Sequence, residues 1–210
     1  MEAFDGRLSH PGTYLIAGNS GVGKTRWVQK LLVNSSKVFD YPPERIFWFY
    51  SQFQPIYTEL QKELGHIEFI EGIPEDNFVL DKSKRNLIVI DDLMSEINKS
   101  VVHLFTQGSH HRNLSVILLV QNFFFQGGRT ISLNSHYIVY FKNPRDASSI
   151  TFLGRQMFPG HSKYVQEAYE DATRKPYGYL FIDFRPSTPD KYRLQTGILP
   201  GETRYVYVKR

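Results

Sequence analysis

The 210-residue chain contains no cysteine. That excludes disulfide stapling, thiolate nucleophiles and zinc sites built on cysteine. No apolar run approaches the ~20 residues that a membrane-spanning helix needs. The first thirty residues also lack the charged, apolar and small-residue order of a secretory signal, so an intracellular protein without a membrane span is expected. Internal repeats, low-complexity tracts and linkers long enough to divide the chain are missing as well. A single domain over 1–210 is therefore expected, with 196–210 as a C-terminal extension, since domains usually run to ~100–200 residues.

Charge is present but unevenly spread. The net charge is +4, yet residues 1–105 hold 11 basic and 14 acidic side chains, and residues 106–210 hold 14 basic and 7 acidic ones. A basic half suggests a polyanionic partner such as DNA. A merely soluble basic surface accounts for the same numbers.

The most specific local signal is Gly18-Asn19-Ser20-Gly21-Val22-Gly23-Lys24-Thr25. A β-branched and apolar run over 13–17 precedes it, and a stretch free of Gly and Pro, with Val28, Leu31 and Leu32, follows over 25–33. A glycine-rich turn between strand and helix lets consecutive backbone N–H groups converge on phosphate oxygens, and the helix N-terminus adds a favourable dipole. Lys24 then reaches the β- and γ-phosphates, and the Thr25 hydroxyl can ligate Mg²⁺. The pattern and its context together imply nucleoside triphosphate binding.

Further strands are expected at 45–50, 66–70, 87–92, 115–120, 136–141 and 177–184. Helices are expected at 56–64, 95–106, 145–158 and 162–173, the last two separated by Pro159-Gly160. Strands alternating with helices imply an α/β fold, a mostly parallel sheet sandwiched by helices with right-handed crossovers. In the near-continuous apolar run Leu87-Ile88-Val89-Ile90-Asp91-Asp92, a strand covered on both faces delivers two carboxylates to its C-terminal edge, where open α/β sheets bind ligands. Asp91 is the candidate for organising Mg²⁺, and Asp92 for polarising the water that attacks the γ-phosphate. Gln121 ends the next apolar strand with an amide that can donate and accept at once, which suits contact with the γ-phosphate or the attacking water. Hydrolysis in such enzymes commonly draws on an arginine from a neighbouring subunit. Arg112, within Ser109-His110-His111-Arg112-Asn113, is the first choice, with Arg129 and Arg155 behind it. His110 and His111 are adjacent rather than at the i, i+4 spacing of a helical metal pair, so a loop or interface role is preferred for them.

The order GNSGVGKT, LIVIDDLM, then HHRNLSVILLVQN resembles genome-packaging ATPases of the FtsK/HerA superfamily. It is most similar to the branch found in large eukaryotic DNA viruses, virophages and Polinton-type elements. Ile131-Ser132-Leu133-Asn134-Ser135 and Phe141-Lys142-Asn143-Pro144-Arg145-Asp146 also look like that branch. The resemblance implies a P-loop, RecA-like fold and a ring-forming homo-oligomer, pentamer or hexamer. Such a ring uses ATP and Mg²⁺ to drive double-stranded DNA into a capsid, docked on capsid vertex proteins at sites of virion assembly. Its Walker residues map onto Lys24, Thr25, Asp91 and Asp92, and its sensor glutamine onto Gln121. Many relatives in the wider superfamily carry Glu where this chain has Asp92, so the water-activating carboxylate is one methylene shorter here. A small-molecule P-loop kinase, a helicase not tied to packaging, and a scaffold switched by nucleotide are the rival readings. Gln121 and the Asp91-Asp92 pair favour a water-using ATPase among them.

Overall fold

A computed structural model describes residues 5–75, 78–108 and 113–209. Its centre is one nine-stranded sheet in the order β3-β2-β4-β5-β1-β6-β7-β8-β9. The strands are β1 Thr13–Ala17, β2 Arg45–Tyr50, β3 Ile67–Glu71, β4 Asn86–Asp91, β5 Leu114–Val120, β6 Tyr137–Phe141, β7 Tyr179–Asp183, β8 Leu194–Thr196 and β9 Tyr205–Tyr207. β1 to β6 pair in parallel, while β7, β8 and β9 each run antiparallel to the strand before them. The fold is thus a mostly parallel α/β sheet, as the alternation of apolar runs implies, with an antiparallel flank that the alternation does not reveal.

The flank has a physical cause. A single crossover helix returns the chain to the start of the sheet, whereas two helices of equal length packed side by side return it to the end where it left. Between β6 and β7 lie both α6 (Ala147–Met157) and α7 (Ser162–Ala172). The pair packs closely at Gly154, where a side chain would collide with the Ser162 backbone. The chain therefore re-enters beside the C-terminal end of β6, with Phe141 opposite Tyr179.

Both faces of the sheet are covered, which is why its central strands read as unbroken apolar runs. Leu15, Ile88, Leu118 and Ile138 face one core, and Ile16, Val89, Leu119 and Val139 face the other. The remaining helices are α1 Lys24–Val33, α2 Ser35–Val38, α3 Pro55–Glu63, α4 Lys99–His103 and α5 Gly128–Leu133. The helix expected over 95–106 is broken. A 3₁₀ turn occupies Met94–Glu96, and α4 starts afresh where the Asn98 side chain accepts from the backbone N–H groups of Ser100 and Val101. A π-helical turn over Leu104–Gly108 follows α4. Within 196–210, β9 pairs with β8, and the Arg204 side chain bonds Gln195 and the Gly6 carbonyl.

Candidate nucleotide-binding site

β5 lies between β1 and β4, with Leu15, Leu118 and Ile90 level across the three strands. Neighbouring strands stand about 4.8 Å apart, so the loop after β1 and the acids after β4 are separated by the C-terminal end of β5. Gln121 occupies that end. The arrangement brings residues from three separate segments to one cleft of about 640 Å³, bordered by Gly21, Lys24, Thr25, Asp91, Asp92 and Gln121.

The loop starts where the Gly18 N–H donates to the Val120 carbonyl at 3.2 Å. It ends at Gly23, whose φ of 97° lies in the left-handed region and caps α1. Lys24 Nζ donates to the carbonyls of Gly18 at 2.6 Å and Asn19 at 2.9 Å, which holds the ammonium over its own loop. Burial pulls this ammonium below its ordinary pKa, and Asp91 and Asp92 act in the opposite direction.

Asp91 is only 3% exposed. Its Oδ2 accepts from Thr25 Oγ1 at 3.3 Å and from Tyr57 Oη at 3.0 Å. Burial raises the carboxyl to about 6, and the bonds from Tyr57 and Thr25 oppose that rise. In a continuing strand, adjacent side chains would point to opposite faces. The chain instead turns at Asp92, with φ 57°, a conformation Asp tolerates better than most residues, so both carboxylates border the same cleft. Gln121 Nε2 donates to Asp92 Oδ1 at 3.5 Å.

Among the described residues, no group of three or more His, Cys, Asp or Glu side chains is placed to hold a metal. The Thr25 hydroxyl and Asp91 carboxylate offer two adjacent oxygen donors. That set fits Mg²⁺, which retains waters and takes further oxygens from phosphates rather than from an all-protein cage.

Sequence reasoning missed three supporting groups. Tyr57, on α3, holds Asp91, and nothing in its local pattern marks it. Asn143 is buried and donates from Nδ2 to the Gln121 carbonyl at 3.1 Å, anchoring the backbone that presents the amide. Asp146 caps α6 by accepting from the Ser149 N–H. The signal for these last two lay in the Asn143-to-Asp146 block, noted only for its resemblance. Tyr177 borders the cleft from the loop before β7.

Arg112, His110 and His111 lie outside the described residues. Arg129 and Arg155 do not reach this cleft and instead line a separate one of about 560 Å³, beside Phe124, Leu133 and Phe152. Phe123 and Phe125 pack against the core while Phe124 is exposed.

No protein-family model matches the sequence, and no curated protein matches it. Among solved structures, the chain is similar to the genome packaging NTPase B204 from Sulfolobus turreted icosahedral virus 2. The complex of that protein with ATP-gammaS has a TM-score of 0.51 at 10% identity, covering 94% of this chain and 96% of that one. Its complexes with sulfate and with AMP each give 0.57 at 10% identity, covering 95% of this chain and 97% and 98% of theirs. The likeness is one of fold along nearly the whole of both chains: the P-loop NTPase fold.

Proposed function

We propose that the protein is a Mg²⁺-dependent ATPase that drives double-stranded DNA into a viral capsid. The observation that carries this reading is the convergence of Lys24 and Thr25, Asp91 and Asp92, and Gln121 on one cleft from three adjacent strand ends. In this reading the loop N–H groups and Lys24 hold the β- and γ-phosphates. Thr25 and Asp91 would hold Mg²⁺, which would supply neutralisation of the phosphate charge. Asp92 accepts the proton of the attacking water, and Gln121, bonded to Asp92, orients that water. A carboxylate–amide pair at the γ-phosphate end suits water as the acceptor better than a small-molecule alcohol, which would need a pocket of its own.

The shared fold with a genome packaging NTPase and the basic excess after residue 105 support DNA as the polymer moved. The same proposal includes membership of the FtsK/HerA superfamily, in the branch of eukaryotic DNA viruses, virophages and Polinton-type elements. It also includes a ring of five or six copies with Arg112 completing the neighbour's site, capsid vertex proteins as docking partners, and action at sites of virion assembly within the cell.

ATP turnover measured with and without double-stranded DNA tests it. DNA should stimulate the wild type. Lys24→Ala should lose triphosphate binding, because a point charge matched to phosphate oxygens is removed. Asp92→Asn should bind Mg²⁺ and ATP yet turn over about 10²–10⁴-fold more slowly. Wild-type turnover by Asp92→Asn would exclude Asp92 as the base, and indifference to DNA would sink the motor.

A further inference from the structure

The acids and the amide that face a terminal phosphate lie on one side of the phosphate loop only, at the ends of β4 and β5. A triphosphate laid along the loop with its γ-phosphate toward them must lead its nucleoside out on the opposite side, toward β6 and β7. A second cavity of about 360 Å³ lies there, bordered by Gly21, Val22, Lys142, Arg174, Lys175 and Tyr177. Gly21 and Tyr177 border both this cavity and the phosphate cleft.

Tyr177 is unusual in three respects. It is 71% exposed. It has a φ of 63°, a left-handed conformation that bulky side chains seldom adopt and that persists where surrounding structure enforces it. Its ring lies against Gly23, so that a Cβ there would stand 3.1 Å from Tyr177 Cδ1. The enforcing structure is visible on both sides. The Gly178 N–H closes a turn onto the Lys175 carbonyl at 3.1 Å, and Tyr179 is already paired with Phe141 in the sheet. A strained, exposed aromatic is thereby fixed at the boundary between the phosphate cleft and a cavity carrying cations. Arg174 is paired with Asp171 at 2.8 Å, whereas Lys142 and Lys175 make no ion pair among the described residues.

We infer that this cavity is the nucleoside subsite, with Tyr177 as the platform on which the base stacks and Lys142 and Lys175 as donors to the ribose oxygens. This rests on the nucleotide-binding reading above and adds to it the side from which the base is held. An aromatic face recognises any base, so Tyr177 supplies affinity for the nucleoside rather than choice among bases.

The test is calorimetric titration of the full chain, with Mg²⁺ present, by ATP and by inorganic tripolyphosphate, which shares the phosphates but has nothing to stack. The wild type should bind ATP more tightly. Tyr177→Ala should shrink that preference by about tenfold or more and leave tripolyphosphate affinity unchanged. Tyr177→Phe should keep the preference. Tyr177→Gly, which accepts the left-handed backbone without strain, should lose it, tying the effect to the ring rather than to a misfolded loop. An unchanged preference in Tyr177→Ala, or equal weakening of both ligands, would overturn the inference. A wild type that binds both ligands equally would also overturn it while leaving phosphate-loop binding intact. A wild type that binds neither would bring down both readings.

Discussion

Tyr57 fixes the orientation of a carboxylate that has almost no water to help it. Asp91 Oδ2 receives the Tyr57 hydroxyl at 3.0 Å and the Thr25 hydroxyl at 3.3 Å, and burial raises its carboxyl to about 6 even against those two bonds. In the proposed site, were Thr25 to turn its oxygen to a cation, Tyr57 would remain as the donor that keeps Asp91 aimed. Groups that orient metal ligands in this way typically cost 10–100-fold in metal affinity when removed. Tyr57→Phe should therefore raise the Mg²⁺ concentration for half-maximal ATP turnover by about tenfold or more, with metal-free ATP binding unchanged. An identical Mg²⁺ titration would reduce Tyr57 to a packing residue beside Trp48 and Phe69. At this scale the sequence announces residues that act through a motif and conceals those that act through tertiary placement. Lys24, Thr25, Asp91 and Gln121 sit at strand and helix ends whose pattern is local. Tyr57 reaches Asp91, and Tyr177 the cleft, from elements whose position depends on the whole sheet.

At the scale of elements, strand existence was legible because a strand buried on both faces must be apolar along most of its length, as residues 87–90 of β4 and 116–120 of β5 are. Strand direction at the flank was not, because α6 followed by α7 decides it. Nor were β8 and β9, whose three residues each carry too short an alternation to stand out. Elements are also joined at the edge of the sheet away from the cleft, where His10 connects the lead-in to β1 with the start of β5. Asn113 Oδ1 can only accept, so His10 Nε2–H donates to it at 3.0 Å; Nδ1 of the neutral ring then accepts from Ser115 Oγ at 2.7 Å, and Ser115 Oγ accepts the Gly12 N–H at 3.0 Å. This network holds a neutral imidazole. Burial lowers its pKa below 6.5, helped by Arg85 and opposed by the Asn113 bond and Asp40. A depressed histidine contributes stability that is present above 6.5 and is lost as pH falls through the folded value, since the unfolded chain takes up the proton first. Denaturant unfolding at pH 7.5 and 5.5 should show a smaller acid loss in His10→Gln than in the wild type, with ATP affinity unaltered at pH 7.5. Equal acid losses in the two proteins would show that His10 does not titrate between those states.

For the whole molecule, the surplus of basic residues after position 105 divides into two groups. Arg185 is bonded to Asp183, Arg193 to Asp190, Arg174 to Asp171 and Lys163 to Glu167, and Arg204 is spent on Gln195 and Gly6. Arg185 and Arg193, whose side chains are 15% and 20% exposed, tie the C-terminal third together and are poorly placed to meet a polyanion, whereas Lys163 and Arg174 sit in exposed local pairs. Arg129, Arg145 and Arg155 are exposed and make no ion pair among the described residues, and Arg129 and Arg155 share one cleft. They are, with Lys142 and Lys175, among the side chains the fold leaves available for phosphates. A motor must hold DNA of any sequence while moving along it, so contact through phosphates rather than base edges is the physical requirement. Affinity for double-stranded DNA should then fall steeply with salt and vary little with base sequence. Each contacting arginine replaced by Ala should reduce the slope of log K against log salt by about 0.9. Arg185→Ala, by contrast, should lower thermal stability without changing that slope, because its guanidinium serves Asp183 and Ser9. A flat salt dependence, strong preference for one sequence, or slopes unchanged in all three exposed-arginine variants would place the DNA-bearing surface elsewhere or remove DNA as the partner.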